Sequence, residues 1–278
     1  GARDGAGARS SRSRSRRLIG GAGEPFFRGF APSRETAMLR RLAAALALLL
    51  APLAAAGETE VDLELVLLAD ATGSIDMAEI RFQREGYAEA ITSPDVVRAI
   101  GSGLLGRIAV TYVEWADAES QDVVVPWTVI ENAAGAAAFA AALLEPPRRA
   151  WGRNAIGAAL LFGKALIEGN DLAGLRRVID LSADSANNWR GPSIETARDQ
   201  VVAAGITING LAVLCRVCSG RPVGYDLEAA FAERIVGGPM SFVVTADGSE
   251  SFAAAVRRKL VLEISGEVPP RRSRFAAR

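Results

Sequence analysis

From residue 61 onward, short and almost uninterrupted apolar runs alternate with longer stretches that carry apolar residues at helical spacing. No other feature restricts the fold as much. Leu65-Val66-Leu67-Leu68 has no polar face, and a strand tolerates that only where helices cover both sides of its sheet. The pattern predicts strands over 61–69, 107–115, 123–130, 177–183, 207–214 and 241–245. It predicts helices over 78–91, 133–144, 154–168, 194–204, 226–236 and 249–262. Pro126 cannot donate to a ladder, so the third strand belongs at an edge. The short acidic link 116–122 makes it an antiparallel hairpin partner of the second strand. Gly237-Gly238 stops the helix that begins at Asp226. The expected fold is α/β, a doubly wound and mostly parallel six-stranded sheet with helices on both faces and one antiparallel edge strand.

The ends of the chain have a different character. Residues 1–37 combine a Ser-Arg alternation over 10–17 with many Gly, Ala and Pro, and read as a disordered leader or an over-extended translation. Residues 38–56 have the pattern of an export signal. Arg40 and Arg41 precede the apolar run 42–50, Pro52 breaks it, and Ala54-Ala55-Ala56 offers small residues for cleavage before Gly57. The apolar run is shorter than the roughly 20 residues a membrane span needs, so the mature chain is expected in the periplasm or secreted, without a transmembrane span. Residues 57–268 form the single predicted domain. Residues 269–278, with Pro269-Pro270 and four Arg, read as a solvated basic tail.

Charge and composition exclude several functions. Residues 1–56 hold 10 Arg against 3 acids, which leaves 22 basic and 29 acidic residues beyond them, a net of about −7. Nucleic acid requires a basic footprint, so none is expected as a partner. There is no histidine, which removes Ser-His-Asp and Cys-His catalysis and imidazole zinc sites. Cys215 and Cys218 form a C-x-x-C that follows a strand-like run and precedes Ser-Gly-Arg-Pro. A redox motif belongs at the start of a helix, so a structural or incidental pair fits this loop better.

In a doubly wound sheet, ligands bind beyond the carboxyl ends of the strands, where the topology reverses. The first strand ends in Asp70-Ala71-Thr72-Gly73-Ser74. The alternate spacing of one carboxylate and two hydroxyls turns three hard oxygens to one side, as a Mg²⁺-like cation requires. The competing structural reading is that Ser74 or Asp76 caps the next helix and Asp70 stabilises the loop.

Three segments extend this reading. Val66–Ser74 resembles the D-x-S/T-x-S segment of the metal-ion-dependent adhesion site in von Willebrand factor A domains. Gly152–Leu160 resembles the second segment, G-x-T-x-x-G-x-A-L, with Asn154 where Thr is expected. Val178–Ser185 resembles the apolar strand that ends in Thr-Asp-Gly, with Asp184 on the metal-site aspartate and Ser185 in place of Gly. The resemblance spans roughly residues 60–265 and implies a Rossmann-like von Willebrand factor A fold. A narrower likeness rests on Asp180, Asn187-Asn188, 208–211, 235–239 and 242–244. It is to a mainly proteobacterial group of exported A-domain proteins known only as a domain of unknown function.

The resemblance implies a binding module rather than an enzyme. Its cation would be Mg²⁺, or Mn²⁺ or Ca²⁺, held by Asp70, Thr72 and Ser74, with Asp184 acting through water and Asn154, in place of the expected Thr, as a further candidate ligand. An acidic residue of an unidentified protein partner would complete the shell, with movement of the last helix coupled to binding. Asn187, Asn188, Trp189 and Arg190 are expected on the partner-binding loop, since loops at this edge carry function. Trp127 and Trp151 are expected to pack. A metal-free scaffold is the alternative, motivated by Asn154 and Ser185. An aspartate-dependent phosphatase is a weaker one, because it needs a second Asp where Thr72 stands and a loop Lys, and Lys164 and Lys259 both sit in predicted helices. Gly101-x-Gly103-x-x-Gly106 matches a nucleotide-loop string but precedes a strand.

Overall fold

The computed structural model describes residues 57–214, 223–248 and 251–267. The expected leader, export signal, C-x-x-C pair and basic tail lie outside the described residues. The strands are β1 (Thr59–Asp70), β2 (Ile108–Trp115), β3 (Gln121–Ile130), β4 (Leu172–Ala183), β5 (Thr207–Val213) and β6 (Val243–Ala246). The helices are α1 (Met77–Ile91), α2 (Pro94–Gly101), α3 (Ala133–Leu144), α4 (Ile156–Glu168), α5 (Ile194–Ala203), α6 (Leu227–Arg234) and α7 (Phe252–Ser265). The sheet order is β3-β2-β1-β4-β5-β6. Every pairing is parallel except β2 with β3, so Pro126 does lie on an edge strand.

β1 is central and buried on both faces, as its unbroken apolar run requires. Leu63, Leu65, Leu67 and Ala69 pack with residues of α1, α2, α3 and α7. Val66 and Leu68 pack on the other face with α4, α5 and α6. No helix among the described residues is long and apolar enough to cross a membrane.

Two elements differ from expectation. α2 was not foreseen, although Ser93 caps it, Pro94 opens it, and Val96 and Ile100 bury one stripe. β4 begins at Leu172 rather than 177. Gly174 interrupts the apolar pattern there, but it has a packing reason. A Cβ at Gly174 would lie 2.7 Å from Glu64 Oε1, and the Gly174 N–H donates to that oxygen at 2.8 Å.

Candidate metal site

β1 pairs with β2 on one side and β4 on the other, so the chain reverses its winding direction at the carboxyl end of β1. Ala69 is in register with Ser182, which brings Asp70 and Asp184 to the same edge. Both are buried. The Asp70 Oδ1 accepts the Thr72 N–H at 2.8 Å. Its Oδ2 is buried and has no hydrogen-bond partner among the described residues. Thr72 Oγ1 lies 3.2 Å from Ser74 Oγ, so the two hydroxyls of the motif converge. Thr72 is buried and Ser74 exposed. Asp76 is the N-cap of α1, in a reciprocal box with Glu79, so helix capping does not draw on Ser74 or Asp70.

The electrostatics describe two carboxylates short of positive charge. Burial, and then the nearby charge of Asp184, raise the Asp70 carboxyl to about 7. Burial, and then the charge of Glu79, raise Asp184 to about 6. A carboxylate oxygen with no partner is costly to bury, and a hard cation would relieve that cost. Among the described residues no group of three or more His, Cys, Asp or Glu side chains could hold a metal, so a cation here depends on hydroxyl oxygens as well. The donor set of two carboxylates, two hydroxyls and water suits Mg²⁺-like ions.

The neighbouring loop 148–154 shapes this edge. The Gly73 N–H donates to Gly152 O at 2.8 Å. Asn154 is half-buried and its Nδ2 donates to Ser185 Oγ at 3.2 Å, so the two departures from the adhesion-site pattern touch each other. Sequence reasoning missed Arg148. Its buried guanidinium donates to Ala71 O, to Thr72 O at 3.0 Å, to Ile75 O at 2.6 Å and to Ala150 O at 2.9 Å. It thereby gathers three carbonyls of the 71–75 turn, those of Ala71, Thr72 and Ile75. No local pattern signals such a role, because its partners in the turn lie more than 70 residues away.

Residues 60–268 match the family described as a protein of unknown function, DUF1194. The chain belongs to that family. No curated protein matches this DUF1194 member. Among solved structures, proximal thread matrix protein 1 from the mussel byssus, with a zinc-occupied MIDAS motif, is 18% identical. That match covers 75% of this chain and 48% of the mussel chain, with a TM-score of 0.51. The open conformation of the pilus adhesin SpaC from Lactobacillus rhamnosus GG is 13% identical, covers 75% and 31%, and has a TM-score of 0.50. A von Willebrand factor type A structure from Catenulispora acidiphila is 14% identical, covers 74% and 42%, and has a TM-score of 0.47. The DUF1194 chain thus spans about half the length of the mussel protein or less of the others. At such identities the likeness shows the fold, which is von Willebrand factor A-like.

The other candidate residues of this DUF1194 member fall into distinct places. Asn187, Trp189 and Arg190 are exposed. Asn188 is tied to the scaffold, since its Oδ1 accepts the Gly157 N–H at 3.0 Å and its Nδ2 donates to Pro192 O at 2.9 Å. Trp127 packs, with Nε1 donating to Leu166 O at 3.2 Å. Trp151 does not pack away as expected, but stands 55% exposed. Neither lysine serves the site. Lys164 pairs with Glu168, and Lys259 is buried between Asp180 at 2.7 Å and Glu263 at 2.5 Å. The 101–106 glycine loop wraps Asp62, whose carboxylate accepts the N–H groups of Leu105 and Arg107, so it has a structural task.

Proposed function

We propose that this domain is an exported protein-binding module that depends on a divalent cation, Mg²⁺ or else Mn²⁺ or Ca²⁺. The buried Asp70 Oδ2 carries the reading: it lacks a partner beside a second buried carboxylate and next to two converging hydroxyls. Asp70, Thr72 and Ser74 are the candidate direct ligands, and Asp184 acts through water. Asn154 would contribute through its Oδ1, since its Nδ2 donates to Ser185 Oγ. A cation bound there supplies a Lewis-acidic face for the carboxylate of a partner protein. The chain's own part is to hold the oxygens in place, chiefly through Arg148 and the Gly73–Gly152 bond. The mussel protein's zinc-occupied MIDAS motif supports the cation, and the naming of SpaC as a pilus adhesin supports a binding role over an enzymatic one. Export rests on the signal pattern over 38–56, and the net charge of about −7 beyond it argues against nucleic acid.

One observation favours a second reading, a metal-free scaffold that kept the fold. Asn154 and Ser185 satisfy each other at 3.2 Å, and such a bond can close a position that a cation would use. Thermal unfolding in EDTA, Mg²⁺, Mn²⁺ and Ca²⁺, beside Asp70→Asn, separates the two. A ligand at 100 times its Kd stabilises by about 2.7 kcal/mol, a shift of roughly 5–10 °C for a domain of this size. A shift present in wild type and absent in Asp70→Asn supports the cation site. No shift with any ion at millimolar levels supports the scaffold.

A further inference from the structure

A group of buried charges lies away from the cation turn, between α7 and the sheet. Lys259 and Glu263 of α7 and Asp180 of β4 are each 2% exposed or less. The Lys259 Nζ donates to Glu263 Oε1 at 2.5 Å and lies 2.7 Å from Asp180 Oδ1. That second approach is close without hydrogen-bond geometry, and Asp180 Oδ1 has no hydrogen-bond partner among the described residues. Glu263 Oε1 also accepts the Asn209 Nδ2 of β5 at 3.0 Å, and Asn209 Oδ1 in turn accepts the Phe242 N–H at 3.1 Å. The Phe242 ring centroid is 5.5 Å from Nζ, and Val178, Val256 and Leu260 beside the cluster are buried.

Two carboxylates and one ammonium leave one negative charge uncompensated, and burying it is costly. Burial raises both carboxyls, Glu263 to about 7 and Asp180 in the same direction, although Lys259 opposes the shift in each. One proton on Asp180 makes the cluster neutral. Transfer of a proton from Lys259 to Glu263 along their 2.5 Å bond then removes every formal charge. Low-dielectric surroundings disfavour charged forms, and the charge-free arrangement holds an amine beside an un-ionised carboxyl group. A desolvated amine is a nucleophile, and fixing it against its target removes much of the barrier to reaction. These are the reactants of amide formation.

We propose that Lys259 and Asp180 condense to an amide that ties α7 to β4, with Glu263 as the proton-transfer group. Glu263 takes the first proton from the Lys259 ammonium, and the free Nζ attacks Asp180 Cγ. Glu263 gives that proton to the departing Asp180 hydroxyl, which leaves as water, and takes the second proton from the nitrogen. The Nζ–Cγ bond forms, the Cγ–OH bond breaks, and no oxidant, reductant or cofactor is consumed. Glu263 is the poorer target, because Asn209 and Lys259 both donate to its Oε1 and so favour its ionised form. The unreacted cluster is the ion network of the freshly folded chain. The reacted one carries no charge, and it blocks at mid-helix the movement of α7 that the resemblance implied.

The test is peptide mapping. Full-length protein is purified, kept folded at neutral pH, then unfolded, digested with trypsin and read by mass spectrometry. The expected product is a branched species in which 178–190 is joined to 259–271, lighter than their sum by one water, with cleavage after Lys259 blocked. Asp180→Ala should lose it entirely. Glu263→Gln keeps the Lys259–Asp180 pair and the shape of the cluster, and should form at least about tenfold less in the same time. Separate peptides 178–190 and 260–271 from folded wild type would overturn the proposal, whatever the variants do. So would a water loss confined to 259–271, which marks an amide with Glu263 instead. Equal linkage in wild type and in a cooperatively melting Glu263→Gln would overturn the part given to Glu263.

Discussion

Replacing Asp70 with Asn should make the cation-free protein more stable, and increasingly so as the pH rises. The Asp70 carboxyl lies at about 7 in the folded state against 3.8 for an unperturbed aspartate, mainly through burial and then through the charge of Asp184. Between those two values the folded protein holds a proton that the unfolded chain has lost. Stability from that proton is complete below 3.8, declines as the pH rises, and is gone above about 7. At 1.36 kcal/mol per pH unit the full penalty is about 4 kcal/mol, of which about 3 kcal/mol accrues between pH 5 and pH 8. Asn escapes it. Its Oδ1 can still accept the Thr72 N–H. In EDTA, the melting temperature of Asp70→Asn relative to wild type should therefore rise by roughly 6–12 °C between pH 5 and pH 8, with water entry around the carboxylate reducing the figure. Addition of Mg²⁺ should narrow the gap at pH 8 by stabilising wild type alone. Calorimetric or fluorescence melts in EDTA at the two pH values decide the matter. A melting difference that does not change with pH, or a variant that melts below wild type at pH 8, would refute the argument that Asp70 is an under-compensated buried charge.

Three further outcomes follow from the packing. Arg148→Met should lower stability in urea titrations by about 3 kcal/mol, because several turn carbonyls lose their donor, and should weaken any Mg²⁺ response in the same protein. Lys259→Met should cost about 3–5 kcal/mol by leaving Asp180 and Glu263 buried together without their cation. That loss should grow from pH 6 to pH 8, since Glu263 is already raised to about 7 by burial, then by the charge of Asp180, and a triple change to Met, Asn and Gln at 259, 180 and 263 should recover much of it. Gly157→Ala should destabilise by about 2 kcal/mol, measured by thermal melts, because the new Cβ would lie 2.2 Å from Pro192 O.

The strand–helix alternation, the antiparallel edge and the Asp70 turn were legible because their signals are local, whereas the order of the strands in the sheet came from the structure. A continuous apolar run, a proline in a strand and a carboxylate at a strand end each state their role within ten residues. α2 was hidden by Gly101, Gly103 and Gly106, which punctuate the sequence just beyond its cap signals. The first half of β4 was hidden by Gly174, whose missing side chain makes room for Glu64 on the adjacent strand. Trp151 was expected to pack, since a large aromatic side chain usually does, and only the tertiary arrangement shows it resting on Arg148 at the surface.

The sequence by itself determined the doubly wound α/β plan, because hydrophobic periodicity dictates which faces must be covered and short connections leave few ways to cover them. It also determined that Asp70 and Asp184 end strands, which brings them to the binding edge of any such sheet. Only the tertiary structure decided that the Asp70 Oδ2 lacks a partner, that Asn154 and Ser185 bond to each other, and that one arginine ties the turn to an exposed tryptophan. Those facts depend on contacts between residues tens of positions apart, where side-chain geometry and burial, not spacing along the chain, set the energy.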